Sequence, residues 1–389
     1  MRTITTTEDL AQFCAIAKTC AYVTIDTEFL RERTYWSKLC LIQMALPPSS
    51  GPDKGDAVLI DPIEGEAMSM EPLYDLFRHE ATVKVFHAAR QDLEIFFVEG
   101  GVFPKPLFDT QVAAMVCGFG EQVGYETLVK KIARETVDKS SRFTDWSRRP
   151  LSEAQMVYAL ADVTHLRLVY ESLNAQIEKS GRQAWVEEEL AVLTDPATYT
   201  VHPDEAWSRV KTRTSSGKFL AIVRELAKFR EIHAQANNIP RSRIYKDDAL
   251  LELASSKPAN FEELGRSRLL MREGRRSDIA EGILAAVKAG LATKPEDVPK
   301  PDLSREDLQV NPALADLLRV LLKAKTEESG VAQKLIASAS DLDAIAAGMR
   351  DIPALRGWRA EVFGNDALRL CRGEIALSAK GTGVKVVAL

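Results

Sequence analysis

Five residues in three separate stretches have the types and spacing to act on one bond. Asp26 and Glu28 stand two apart near the end of AYVTIDTEF, residues 21–29. In a strand, side chains at i and i+2 leave the same face, so both carboxylates point to one place. Two acids converging at a buried strand end are costly unless a cation neutralises them; a solvated strand end is the plain alternative. In KVFHAARQDLE (84–94) a strand ends near His87 and a helix then carries Asp92 in its first turn. Acids favour helix N-termini for dipole reasons alone, which would account for Asp92 without chemistry. Glu94 falls on another face of that helix. His87 reads as a packed strand-end residue, since a hard-cation site built from oxygens does not call for imidazole. In MVYALADVTHL (156–166), Tyr158 and Asp162 are four apart and stack on one helical face. Tyr158 alone would pass for core, but an aspartate interrupting an apolar face is harder to dismiss. His165, one turn on, reads as packing or capping.

The elements that must position these residues follow from periodicity. Ala21–Phe29 has the alternation of a buried strand, and KLCLIQMAL (38–46) and AVLID (57–61) are two more, separated by the loop PPSSGPDKGD (47–56). Next come a helix over 71–79, a strand over 82–87, and helices near 91–98, 109–117, 124–134 and 153–175. Three closely connected strands followed by strand and helix in alternation predict an α/β domain with a mixed sheet, spanning residues 1–200. From about residue 206 no strand pattern is evident. Phe219, Ile222, Val223, Leu226 and Phe229 recur at helical spacing. TKPEDVPKPD (293–302) has the composition of an interdomain linker, leaving helical domains at 206–292 and 303–389. Ile244, Leu250, Leu253 and Ala254 recur 92 positions later as Ile336, Leu342, Ile345 and Ala346, which suggests two copies of one helical module.

Composition excludes several classes of function. Of 389 residues, 46% are hydrophobic and 28% charged, an ordinary soluble balance. The N-terminus lacks a cationic stretch followed by an apolar run, and no segment is apolar enough to span a bilayer. Cys14, Cys20, Cys40, Cys117 and Cys371 form no CxxC pair, so neither disulfides nor structural zinc are expected, and a reducing cytoplasm fits. There is no GxxxxGK[ST] and no GxGxxG after a strand, which argues against ATP or dinucleotide chemistry. The net charge is −5, but residues 1–200 hold 20 Lys+Arg against 30 Asp+Glu, whereas residues 201–290 hold 17 against 12. A cation-binding domain beside a polyanion-binding module would have that distribution.

Taken together, Asp-x-Glu on a strand, Asp on a helix and Tyr-x-x-x-Asp on a later helix resemble the DEDD exonucleases, and the tyrosine resembles their DEDDy subclass. KVFHAARQDLE, FDTQVAA (108–114) and YALADV resemble the ribonuclease D family in particular. NNIPRSRIYKDDALLELA (237–254) is similar to the HRDC module, and GWRAEVFGNDALRL (357–370) is a looser match to it. The resemblance implies an RNase H-like exonuclease domain followed by two all-α HRDC-type domains. It also implies a monomeric 3′→5′ exoribonuclease that trims tRNA precursors and other small structured RNAs, releasing nucleoside 5′-monophosphates.

Hydrolysis of a phosphodiester sets water against an anion while charge gathers on the leaving 3′ oxygen. Two divalent ions about 4 Å apart can serve both sides. Four carboxylates suit Mg²⁺ or Mn²⁺. The expectation is Asp26 as bridging ligand, Glu28 and Asp162 beside it on the nucleophile-side ion, and Asp92 on the second. Tyr158 would orient the attacking water, because an unperturbed phenol is a poor base at neutral pH. Phe29, His87, Arg142, Phe143 and Trp146 are candidate RNA contacts, the last three in a basic-aromatic loop that could equally be plain surface. Asp109, ahead of a helical pattern, reads as a cap rather than a fifth ligand. Rival readings are a DNA-directed 3′ exonuclease with the same carboxylates and a catalytically silent RNA-binding scaffold.

Overall fold

Val23 and Ile25 are fully inaccessible, and almost the whole of LCLIQMA is buried on both faces, so these two runs can only be interior strands of a covered sheet. The computed structural model describes residues 1–389 except 49–56, 66, 139–140, 213, 215, 272–274, 276 and 300–308. Its main sheet has six strands: β1 (Arg2–Ile4), β2 (Tyr22–Leu30), β3 (Lys38–Ala45), β4 (Ala57–Ile60), β5 (Val83–Phe86) and β6 (Leu107–Asp109). They lie in the order β1-β4-β3-β2-β5-β6, which places β2 in the interior of the sheet. β1/β4, β2/β5 and β5/β6 are parallel, and β3/β4 is antiparallel. The predicted mixed sheet is therefore present. The short strands β1 and β6 went unread because three residues are too few to show an alternation.

The helices of this domain are α1 (Thr7–Ala17), α2 (Glu71–Arg78), α3 (Arg90–Gly100), α4 (Thr110–Val116), α5 (Tyr125–Leu128), α6 (Glu153–Ser180) and α7 (Gln183–Ala191). α6 starts at a capping box between Ser152 and Gln155 and ends at Gly181, whose φ of 69° closes the helix in a left-handed turn. Its buried face, including Ala159, Val163, Leu166, Val169 and Leu173, lies on the sheet, and the Thr24 hydroxyl of β2 donates to the Val163 carbonyl at 2.7 Å.

The chain divides into two compact units. One comprises residues 1–28, 41–195 and 304–389; the other comprises 29–40 and 196–303. The second unit is helical: α8 (Gly217–Ala236), α9 (Arg241–Ile244), α10 (Asp247–Ser256), α11 (Phe261–Gly265) and α12 (Ser277–Leu291), around a core that includes Ile222, Leu226, Tyr245, Leu250 and Ile283. The segment between β2 and β3 belongs to it: Tyr35 and Trp36 donate their amides to the Asn238 side chain at 3.1 and 2.9 Å.

The last part of the chain builds α13 (Pro312–Ser329), α14 (Gln333–Ile336), α15 (Ala339–Ala346), α16 (Gly357–Arg359) and α17 (Asn365–Cys371) around Leu318, Leu322, Ile345 and Phe363. Within the first unit it is seated on the exonuclease domain: Trp358 stacks on Trp185 at 4.9 Å, and Arg359 pairs with Glu188 at 2.7 Å. Gly118 lies so close to Gly330 that a Cβ there would come within 2.4 Å of the Gly330 carbonyl oxygen. α14 begins and ends at a 92-residue offset from α9. The expectation of an all-α ending is corrected: β7 (Ile375–Lys380) and β8 (Gly383–Ala388) pair as an antiparallel hairpin. Its alternating Ile375, Leu377, Val384 and Val386 flank a glycine turn, a period-2 signal too short to stand out beside the helical pattern before it.

Candidate active site

β2 delivers the first two acids. Asp26 and Glu28 share a face of the strand, and carboxylate oxygens of Asp26, Glu28 and Asp162 all lie within 4.8 Å of one another. Asp162 comes from α6, whose position is fixed by the Thr24 hydroxyl and by Tyr125, which donates its phenolic proton to the Asp162 carbonyl oxygen. Tyr158, one turn earlier, hydrogen-bonds to the Asp162 carboxylate, so the i,i+4 pair meets as its spacing requires. Asp92 sits in the first turn of α3, 5% exposed, and accepts a hydrogen bond from the Thr27 hydroxyl. It stands beside the three-acid cluster rather than in it.

The electrostatics of the four acids share one pattern. Burial raises the Asp26 pKa well above the ordinary carboxylate range, and the charges of Asp162, Asp92 and Glu28 raise it further. Glu28 is pushed up to about 9 by burial, then by Asp162 and Asp92. Asp92 is pushed up to about 7 by burial against the opposing Thr27 hydrogen bond, and Asp162 to about 7 by burial against the Tyr158 hydrogen bond and Arg142. Burial and the neighbouring acids push the Tyr158 phenol up as well, so it holds its proton. Among the described residues none of the four acids has an ion-pair partner, and Arg142 is the one cation that opposes the rise, at Glu28 and Asp162. A set of buried and half-buried oxygen donors with no ion-pair partner among the described residues fits hard divalent cations.

A cavity of about 450 Å³ opens on this cluster, lined by Asp26, His87, Tyr125, Arg142, Tyr158 and Asp162 among others. Ala88, directly after His87, adopts φ 58°, a left-handed conformation uncommon outside glycine. Asp109 holds it there: its carboxylate accepts the amides of Ala88 at 3.0 Å and Ala89 at 2.8 Å while capping α4 through Gln111 at 2.7 Å. Asp109 is thus a cap, and it also organises the turn from β5 into α3 that carries Asp92.

The basic-aromatic loop divides. Arg142 lines the cavity with its guanidinium 5.3 Å from the Phe143 ring, and Phe143 is 90% exposed. Trp146 is only 2% exposed and packs 6.0 Å from the Tyr158 ring, so it cannot offer a face to a base and instead supports the tyrosine. The loop is tied down by Arg149, which clasps Asp61 through Nε at 2.5 Å and Nη2 at 2.7 Å. Phe29 follows Glu28 on β2 and is partly exposed. Sequence reading passed over Thr27 and Tyr125. Only the position of Thr27 between two acids hinted at a role, and nothing in GYETL marks Tyr125.

These features define a class. Residues 1–178 match the family model of the 3′-5′ exonuclease, and residues 219–287 match that of the HRDC domain. The ribonuclease D of Jannaschia sp. is 62% identical over 385 residues, 99% of each chain, and that of Granulibacter bethesdensis is 48% identical over 386 residues, 99% of this chain and 96% of the relative. The crystal structure of Escherichia coli RNase D superposes with a TM-score of 0.82 at 27% identity, covering 96% of this chain and 98% of that one. The chain belongs to the ribonuclease D family and is a 3′→5′ exoribonuclease.

Proposed function

We propose that this exoribonuclease trims the 3′ ends of tRNA precursors and other small structured RNAs, releasing nucleoside 5′-monophosphates with the help of two divalent cations, Mg²⁺ or Mn²⁺. The observation that carries the metal reading is the approach of the Asp26, Glu28 and Asp162 oxygens to within 4.8 Å of one another without a basic partner. Asp26, Glu28 and Asp162 would hold one cation, and Asp92 with Asp26 the other. When bound, such cations activate the attacking water and offset the charge on the leaving 3′ oxygen.

The side chains do the rest. The Tyr158 hydroxyl keeps its proton and donates it to Asp162, which leaves its oxygen lone pairs to accept a hydrogen bond from the attacking water and aim it. Water adds to the last phosphorus, the bond from phosphorus to the 3′ oxygen of the penultimate nucleotide breaks, and that oxygen takes up a proton. Arg142 at the cavity wall attracts the phosphate, and Phe143 offers an exposed ring to a base. The helical unit, with its excess of Lys and Arg, would hold structured RNA through its backbone. The substrate class draws on E. coli RNase D, an exoribonuclease involved in structured RNA processing. In this reading the enzyme works as a cytoplasmic monomer.

The test is digestion of matched 5′-labelled RNA and DNA oligonucleotides and a tRNA precursor with Mg²⁺, Mn²⁺ or EDTA. Stepwise shortening of the RNAs, abolished by EDTA, is expected. Full activity in EDTA would overturn the metal reading, and an unshortened precursor the substrate reading.

A further inference from the structure

The fully buried Thr110 hydroxyl has one proton, and it donates that proton to the Phe86 carbonyl oxygen at 3.1 Å. The Thr110 hydroxyl oxygen itself lies 2.9 Å from Nδ1 of His87. Having spent its proton, Thr110 can only accept there, so Nδ1 of His87 carries the hydrogen and donates it. Burial lowers the pKa of the imidazole against the opposing charge of Asp109, which keeps the ring neutral. Nε2 is then a bare lone pair. It has no protein partner among the described residues, and His87 lines the cavity beside Asp26, Tyr158 and Asp162. The ring itself cannot swing freely: Tyr125 packs 5.5 Å away, and the turn that follows is held by Asp109 through the amides of Ala88 and Ala89.

An acceptor without a donor needs its partner from the substrate. Phosphate oxygens at neutral pH offer no hydrogen. The N–H groups of bases differ among the four nucleotides, and an enzyme that removes every nucleotide in turn cannot depend on them. Sugar hydroxyls are donors common to all four. Of these the 3′-OH is shared with DNA, and the four carboxylates are equally suited to a DNA chain. The contact that makes this site select RNA must therefore reach the 2′-OH. We propose that Nε2 of His87 accepts a hydrogen bond from the 2′-OH of the 3′-terminal nucleotide and thereby selects RNA over DNA. Thr110 acts one step behind, as the positioning residue that fixes the tautomer. The inference rests on the reading of this cavity as the seat of the terminal nucleotide.

The test uses one oligoribonucleotide sequence with three ends, terminating in ribose, 2′-deoxyribose or 3′-deoxyribose, and measures kcat/KM for removal of that last residue with Mg²⁺ saturating. The wild-type enzyme should favour the ribose end over the 2′-deoxy end by about 10- to 100-fold, the effect of leaving a buried acceptor unpaired. In His87→Phe, with folding checked by circular dichroism, that ratio should fall towards one, while the ratio of ribose to 3′-deoxyribose stays as it was. Thr110→Val retains the imidazole and removes only the group that fixes its proton; it should lower the same ratio by less. A 2′-deoxy ratio that survives His87→Phe and Thr110→Val, or a loss confined to the 3′-deoxy ratio, overturns the assignment. If the wild-type enzyme removed no terminal nucleotide from any of the three ends, the reading of the cavity would fail instead.

Discussion

Both compact units bury carboxylates, and they treat them in opposite ways. On α8 of the helical unit, Glu231 is 1% exposed, yet both its oxygens are bound by Arg241, and Tyr35 and Gln235 add hydrogen bonds. Burial alone would raise its pKa, but the hydrogen bonds from Arg241 and Tyr35 outweigh it and hold the group below its usual range. In the exonuclease domain, Asp92 and Asp162 are buried and Asp26 and Glu28 half-buried beside them, and every one is shifted upward. A buried acid with its own cation serves the fold. Four crowded acids with no ion-pair partner among the described residues weaken the fold and are retained for what they can bind.

The largest effects separate the two cases. Asp26→Asn should abolish exonuclease activity, yet leave the EDTA-treated protein at least as stable, since it removes a carboxyl whose ionisation burial and the other three acids oppose. Glu231→Gln should do the reverse, keeping activity near wild type while costing on the order of 2 kcal/mol in denaturant unfolding of the helical unit. If Asp26→Asn destabilised the protein as Glu231→Gln does, the contrast would collapse. Next in size, Tyr158→Phe retains the ring against Trp146 and loses the hydroxyl; kcat should fall by about 10²–10⁴ with little change in melting temperature. A normal kcat in that variant would make the tyrosine part of the core.

How legible this contrast was in the sequence depends on the length of the signal. Asp26, Glu28, Tyr158 and Asp162 were readable because i,i+2 on a strand and i,i+4 on a helix fix which side chains share a face. The central sheet was readable because β2 and β3 are long and apolar. Trp146 was misplaced because an aromatic residue among arginines has the same composition whether it faces RNA or packs under a neighbour. The hydrogen bond from Thr27 to Asp92 and the one from Tyr125 to the Asp162 backbone join residues 65 and 37 positions apart, and no local pattern encodes such pairs. The grouping of residues 29–40 with the helical unit was hidden for the same reason.

The response to pH should also differ in sign. A carboxyl whose folded pKa lies above its unfolded value takes up a proton on folding, so stability falls as pH rises through the interval between the two. That interval runs from 3.8 to about 7 for Asp92 and Asp162 and from 4.5 to about 9 for Glu28. For Glu231 the folded value lies below 4.5, so its contribution is complete above that pH and lost as pH falls through the folded value. With EDTA present, the melting temperature of the exonuclease domain should therefore decline from pH 5 to pH 9. Saturating Mg²⁺ should restore most of the loss at the alkaline end, where the ligands are already deprotonated. A flat profile in EDTA would mean that the four acids do not interact as their burial requires.

The smallest effect concerns how the fourth acid is held. Among the described residues no arginine pairs with Asp92, and the hydroxyl of Thr27 takes that place. Thr27→Val preserves the shape of a residue that is 5% exposed and removes only this hydrogen bond. The Asp92 carboxylate would then be free to turn, and outer contacts that orient a ligand are generally worth about 10- to 100-fold in metal affinity. The expected result is a rise of about 10-fold in the Mg²⁺ concentration that gives half-maximal rate, with the rate at saturating Mg²⁺ close to wild type. A merely structural role would lower the melting temperature and leave the Mg²⁺ dependence where it was. That outcome would return Thr27 to the core and leave Asp92 oriented by the first turn of α3 alone.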